Sequence, residues 1–179
     1  MVILRKLSQD HSDALLVMKL YLKTFPSRER IDLSVLFERM PATLLGIYYT
    51  DKDALCFAGF FIVIEEESIV HLQYFAICPE MRSTDIDSQA LQALMQMYGG
   101  RPLMVTYENI CHPDDHPDRR DYRRTFYLKN GFHECPWYAL YGDTQYGLAS
   151  SAEKVNDVVI GHLLHLYQSF NTNFYTHTR

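Results

Sequence analysis

Apolar positions fall into two kinds of run that alternate along the chain: short alternating or continuous stretches, and longer stretches with helical spacing. Residues 2–7 alternate as a first strand. Leu15, Leu16, Met18, Leu20, Leu22 and Phe25 then give a helix with a broad apolar face, which Asp10 or Ser12 can cap and Pro26 stops. Residues 33–40 predict a short second helix closed by Pro41. Residues 44–49 and 54–64 read as strands joined by the polar turn at 50–53. Glu65-Glu66-Glu67 turns the chain into a third strand over 68–77. Cys78-Pro79 ends that strand, because proline has no N–H to give to a ladder.

The helical spacing returns with Ile86, Ala90, Leu94 and Met97, preceded by Thr84 and Asp87 at the separation of a capping box. Gly99-Gly100 closes this helix, and residues 102–108 form a strand that a helical crossover would place parallel to 68–77. Residues 119–131, RRDYRRTFYLKNG, predict a helix closed by Gly131, with Lys129 near its negative end. A strand pair over 135–141 and 144–148 turns at Gly142-Asp143 and carries the aromatic residues Trp137, Tyr138, Tyr141 and Tyr146. Ser150 and Glu153 have the spacing to cap a last helix over 151–170, striped by Val155, Val158, Val159, Leu163, Leu166 and Phe170. The polar residues from Asn171 are expected to fray. The pattern therefore predicts a mixed α/β (α+β) fold: a mostly antiparallel sheet flanked by helices, with one parallel pair. It places one domain at 1–149 and an amphipathic helix and tail at 150–179, the helix burying its stripe on the domain or in a homodimer.

A chain of 179 residues that is 47% hydrophobic can bury one sizeable core. The formal charge of −5 speaks against a nucleic-acid surface and for a cationic or neutral partner. No apolar run approaches the roughly 18 residues of a membrane span, and the N-terminus turns polar quickly, so a cytoplasmic protein without membrane association is expected. Four cysteines stand singly, as reduced structural thiols. Cys111, His112, Asp114, Asp115 and His116 crowd one loop. Two prolines interrupt it and no second ligand cluster stands out beyond His133 and Cys135, so the reading is a polar loop and no metal.

A strand, a short basic loop and a helix start form a site suited to an anion. Here the loop reads Arg82-Ser83-Thr84-Asp85-Ile86-Asp87, and with its flanking strand and helix it resembles motif A of the GCN5-related N-acetyltransferase (GNAT) superfamily. That motif cradles the pyrophosphate of acetyl-CoA on an R/Q-x-x-G-x-G/A loop. Arg82 matches its first position, while Asp85 and Asp87 replace both small residues. Phe126-Tyr127-Leu128-Lys129-Asn130-Gly131-Phe132 resembles motif B with its Phe-Tyr-x-x-x-Gly-Phe intact. Order and spacing follow the superfamily over residues 2–149, in an uncharacterised bacterial branch. The resemblance implies acetyl-CoA as co-substrate, with Tyr74, Phe75, Ala76 and Ile77 as the strand edge for its pantetheine and Arg82, Ser83, Thr84, Asp85 and Asp87 as the loop. It implies Tyr127 as the acid that protonates the leaving thiolate.

Helical spacing puts Arg120 and Arg124 on the face of Tyr127, where they can meet phosphates. Glu108, at the end of its strand, is the candidate base, and a surface carboxylate is the plainer reading of it. On the acceptor side the resemblance points to Phe25 and Glu29, for which a core aromatic and a solvated charge are the alternative. Glu66, in the acidic turn, can attract an amine. The function so implied is direct acetyl transfer to a small-molecule or peptide amine. The competing possibility is a binding or regulatory module that kept the fold and lost acetyl-CoA.

Overall fold

A computed structural model describes the chain apart from residues 9, 53, 82–83, 109–116, 142–143, 169–173 and 179; for 28, 108, 117–121, 141, 144, 168 and 174–178 it describes the backbone alone. The chain divides into two compact units, residues 1–65 with 72–97 and residues 66–71 with 98–179.

The first unit is a four-stranded meander with three helices. β1 (Val2–Lys6), β2 (Ala42–Asp51), β3 (Ala54–Glu65) and most of β4 (Val70–Ile77) follow one another in space as in sequence. β1–β2 and β2–β3 pair antiparallel, with Leu4 opposite Ile47 and Leu45 opposite Phe61. A bulge interrupts the second pair, since Ile47 faces Gly59 while Tyr48 faces Phe57, leaving Ala58 as the extra residue. Its carbonyl accepts the N–H of Cys78 at 2.7 Å. Next to it Gly59 is obligatory, because a Cβ there would lie 2.1 Å from the Ala76 carbonyl oxygen.

α1 (Ala14–Thr24) packs on β3, α2 (Leu33–Arg39) on β2 and α3 (Ile86–Met97) on β1. α1 ends where Phe25 must be extended before Pro26. Its N-cap is Asp13, one residue beyond the expected Ser12, and the Asp13 carboxylate is occupied by the Tyr48 hydroxyl at 2.5 Å. The predicted broad apolar face is only partly used: Val17, Leu20 and Tyr21 are buried, while Leu15 and Leu22 stay 62% and 52% exposed. One flat sheet covers only one stripe of a helix that is apolar nearly all round. α2 starts with the Asp32 carboxylate accepting the Ser34 N–H and hydroxyl, both at 2.8 Å.

The second unit opens with the turn 66–69 and the first two residues of β4. Val70 N–H donates to Pro102 O at 2.9 Å, the start of the parallel pairing of β4 with β5 (Leu103–Glu108). Beyond β5 the order is β7 (Thr144–Ser150), β6 (His133–Tyr141), β8 (Phe174–Thr178), all antiparallel. The sheet is thus mixed and mostly antiparallel, with the one parallel pair the pattern predicts. α4 (Pro117–Lys129) packs on β5 and α5 (Asp157–Gln168) on β8.

Two expectations fail in this unit. The last helix does not start at Ser151: β7 runs through Ser150, which pairs with both Met104 and His133, and the Ser150 hydroxyl accepts the N–H of Ala152, outside any helix. Sheet pairing on both sides outweighs a local cap, and Asn156 caps α5 instead, its side-chain Oδ1 accepting Val159 N–H at 3.0 Å. The C-terminal residues do not simply fray, because residues 174–178 are edge strand β8, with Ala139 opposite Thr176. Ile160, Leu163, Leu166 and Tyr167 of α5 are buried within the chain.

α5 is tied to the start of β4 by two imidazole–hydroxyl bonds, His162 Nδ1 to Ser68 Oγ and His71 Nδ1 to Tyr167 Oη, both at 2.5 Å. His71 is fully buried, and burial pushes its pKa down to about 3. The unfolded chain, with an ordinary histidine near 6.5, therefore binds the extra proton as pH falls. His71 gives its full contribution above about pH 6.5 and loses roughly 1.4 kcal/mol per pH unit below it. Denaturant titrations between pH 7.5 and 4.5 are expected to show His71→Gln with a flatter pH dependence than the parent. Parallel curves would contradict the buried neutral imidazole.

Candidate active site

In the first unit, the Tyr74 side chain of β4 is the centre of a clamp on the segment after α1. Its hydroxyl donates to Glu29 O at 2.7 Å and accepts Ile31 N–H at 2.9 Å, while Tyr21 Oη donates to Ile31 O at 2.8 Å. Tyr21, Phe25 and Tyr74 meet in mutually tilted ring contacts with centroids 4.8, 4.9 and 5.5 Å apart. Burial raises the pKa of both phenols, so both keep their protons at neutral pH. The short turn Ser27–Glu29 is thereby fixed through its backbone, leaving the Glu29 side chain partly exposed. Alongside, a groove of about 650 Å³ opens between α1 and α2, lined by Val17, Met18, Leu22, Leu33 and Phe37, with Arg30 and Asp32 among its polar residues.

Successive residues of β4 alternate in direction. Phe75 points away from Tyr74 and stacks on Phe61 at 4.5 Å, while Ala76 and Ile77 are buried. Of the loop that follows, Arg82 and Ser83 lie outside the described residues. The capping box expected from Thr84 and Asp87 is absent. The Thr84 hydroxyl turns back to Met81 O at 2.6 Å, and the Asp87 carboxylate accepts the adjacent Ser88 N–H at 2.8 Å. The cause is Asp85, whose φ of +61° bends the chain through the left-handed region immediately before α3. Its carbonyl then accepts Gln89 N–H at 3.0 Å as the first helical bond. Asp85 stands where motif A has its first glycine, and it adopts a backbone conformation that glycine takes without strain. Its exposed carboxylate and that of Asp87 both sit at the helix start.

In the second unit, Tyr127 lies in the last turns of α4. That helix closes on Gly131, φ +87°, with Asn130 N–H bonded to Phe126 O and Phe132 N–H to Tyr127 O. The Tyr127 ring meets Phe132 at a centroid distance of 5.5 Å, in a residue that is half-buried as a whole and has its hydroxyl end enclosed. Burial pushes its phenol up to about 12, and Arg123 pulls the other way. Arg124, expected beside it as a phosphate contact, instead forms a fork on Glu134, Nε to Oε1 at 2.9 Å and a terminal nitrogen to Oε2 at 2.6 Å. Tyr107 Oη donates to the same carboxylate at 2.7 Å. Helical spacing alone revealed neither Glu134 nor Tyr107. Tyr21 and Arg123 were likewise missed, although Tyr21 stands one turn before Phe25 and Arg123 one turn before Tyr127. Glu108 pairs with Tyr146 at the end of β5; its side chain and that of Arg120 lie outside the description, as does the Cys111–His116 loop. Glu66 is engaged through its backbone, donating to Ile69 O and accepting from Arg101, both at 3.0 Å.

Neither a protein-family model nor a curated protein sequence matches the chain. Solved structures do. A protein described as a GNAT-family acetyltransferase from Bacteroides thetaiotaomicron superposes with a TM-score of 0.72 at 18% identity, over 94% of this chain and 98% of that one. The chain has the GNAT fold. An aminoglycoside 6′-N-acetyltransferase complexed with coenzyme A is similar at TM-score 0.60 and 16% identity, over 86% and 98%. The ribosomal-protein-S18-alanine N-acetyltransferase of Escherichia coli is similar at 0.58 and 13%, over 87% and 96%. At such identities what is shared with these GNAT structures is architecture.

The clamp predicts the effect of one atom. Tyr74→Phe removes the partner of the Ile31 N–H and of the Glu29 carbonyl, and should cost about 1–3 kcal/mol in chemical denaturation while speeding amide exchange at Ile31. Unchanged stability with unchanged exchange would show that the hydroxyl is dispensable.

Proposed function

We propose that the protein is an acetyl-CoA-dependent N-acetyltransferase acting by direct transfer on a small-molecule or peptide amine. The observation that carries this reading is Tyr127, set in an intact Phe-Tyr-x-x-x-Gly-Phe segment at the end of α4 on a GNAT fold, with its phenol protonated at neutral pH. Similar structures bear the names of enzymes that acetylate aminoglycosides and a ribosomal-protein alanine, which supports an amine acceptor. In the proposed step the amine nitrogen attacks the thioester carbonyl carbon, the C–S bond breaks with its electron pair on sulfur, and Tyr127 donates a proton to the thiolate. Glu108 takes a proton from the nitrogen. Phe25, Glu29 and Glu66 are the acceptor-side residues, and the clamp explains how the turn carrying Glu29 is held.

The residues around the proposed cofactor site fit acetyl-CoA in part. Tyr74 to Ile77 supply strand backbone, and Asp85, at the first glycine position of motif A, takes a left-handed conformation that glycine also adopts. The side chains at that turn do not fit an anion, since two carboxylates bring like charge to a pyrophosphate. Arg82 and Arg120 would hold the phosphates, with Ser83 and Thr84 completing the loop; Arg124 would first have to leave Glu134. Asp85 and Asp87 also favour the second reading, a GNAT-fold binding module without acetyl-CoA.

Calorimetric titration with acetyl-CoA separates the two readings. Measurable affinity is expected, and Asp85→Gly with Asp87→Gly should tighten it by roughly fivefold or more, since two like charges leave the anion site. Tyr127→Phe should bind within about twofold of the parent and turn over about a hundredfold more slowly. If neither the parent nor the double glycine variant binds, the loop serves something else and the binding-module reading takes over.

A further inference from the structure

Glu134 brings three elements to one carboxylate. It stands on β6, two residues past Phe132, and receives the Arg124 fork from α4 and the Tyr107 hydroxyl from β5. Tyr107 is buried, and its ring lies against β7 at Gly147, where a Cβ would come within 2.7 Å of it. The anchor is thus built into the sheet, and a side chain at 147 would break it. On the helix, Arg124 precedes Tyr127 by three residues, which puts both on one face. The other end of that segment is fixed by the Gly131 turn and by Phe132 against the Tyr127 ring. Tyr127 therefore sits between two fixed points, and Glu134 supplies the only one of them made by charge.

An isolated half-exposed ion pair contributes little to stability. This one differs in being bidentate and in sharing its carboxylate with a buried phenol, so it sets direction as well as distance. It also takes up the guanidinium otherwise suited to a phosphate.

We infer that Glu134 is a positioning residue: through Arg124 it holds α4 so that the Tyr127 phenol has one orientation, and Tyr107 holds Glu134. The inference rests on the acid role given to Tyr127 above. The step itself is unchanged, with the Tyr127 proton passing to the thiolate and neither Glu134 nor Arg124 giving or taking one.

The test is a double-mutant cycle on the full chain, with turnover read as thiol release from acetyl-CoA against spermidine, kanamycin, tyramine and an alanine-leading peptide. On the best acceptor, Glu134→Ala should lower kcat about tenfold and leave the acceptor KM within about twofold, with the Kd for acetyl-CoA no weaker than the parent's, since Arg124 is freed. Added to Tyr127→Phe it should slow the enzyme no further, because it acts only through that phenol. Glu134→Gln, which keeps an acceptor for Tyr107 but loses the ion pair, should fall between parent and Ala; if the Ala variant does not fold, Glu134→Gln carries the cycle. Additive losses, or a Glu134→Ala enzyme with parental kcat, would overturn the inference and leave the acetyltransferase reading standing. Parental turnover by Tyr127→Phe would remove the acid role and this inference together. A parent that binds no acetyl-CoA and releases no thiol would remove the activity as well.

Discussion

At Gly59 the backbones of β3 and β4 touch so closely that a methyl group would lie 2.1 Å from the Ala76 carbonyl. This contact, with the Ala58 bulge and its bond to Cys78, fixes β4 along its length and around its axis. A strand displaced by one residue would exchange its two faces. Tyr74 would then leave Tyr21 and Phe25, and Phe75 would leave Phe61. The clamp on Glu29 and Ile31, the facing of residues 74–77 and the entry into the loop before α3 all follow from that register. A single residue without a side chain therefore conditions both the segment proposed for the acceptor side and the strand proposed for the cofactor.

The loop before α3 separates two properties that usually occur together. Glycine serves an anion-binding turn by reaching positive φ and by leaving the backbone bare. Asp85 keeps the first property, at φ +61°, and reverses the second by placing a carboxylate there. Aspartate is among the few side chains that tolerate this region, because its short polar group can bond locally. The fold can thus persist through a substitution that opposes the ligand expected at such a loop.

Most of the fold was legible because its signals are local. Proline stops after α1, α2 and β4, a glycine stop after α4 and short apolar runs bounded by turns in β2, β3 and β5 each act within a few residues, and all lie close to where they were read. What could not be read depends on partners distant in sequence. Ser150 has the spacing of a cap but is held in β7 by Met104 and His133. Residues 174–178 look like a polar end until β6 offers its edge, although Phe174, Tyr175, Thr176 and Thr178 are all strand-forming types. The candidate site divides in the same way. Tyr127 came from a contiguous motif, whereas the Glu134 partner of Arg124 lies ten residues on and in another element, so helical periodicity left that arginine open to phosphate.

The electrostatics of Tyr127 constrain its proposed role further. A phenol held at about 12 is a poor acid for a thiolate whose conjugate thiol has an ordinary pKa near 8.5. Complete transfer between the two would be uphill by roughly 5 kcal/mol, at about 1.4 kcal/mol per unit. A phenol in that position contributes most as a hydrogen-bond donor while charge builds on sulfur, with complete transfer following once another proton reaches the phenolate. Solvent supplies it, and Glu108 releases to solvent the proton it took from the amine nitrogen, so the proposed turnover balances. Burial keeps the Tyr127 hydroxyl protonated across the neutral range, and Arg123 lowers the cost of any negative charge that reaches it. At a fixed acidity, what such a donor contributes depends on where its O–H points, and in the proposed role the fixed ends of the Tyr127 segment set that direction.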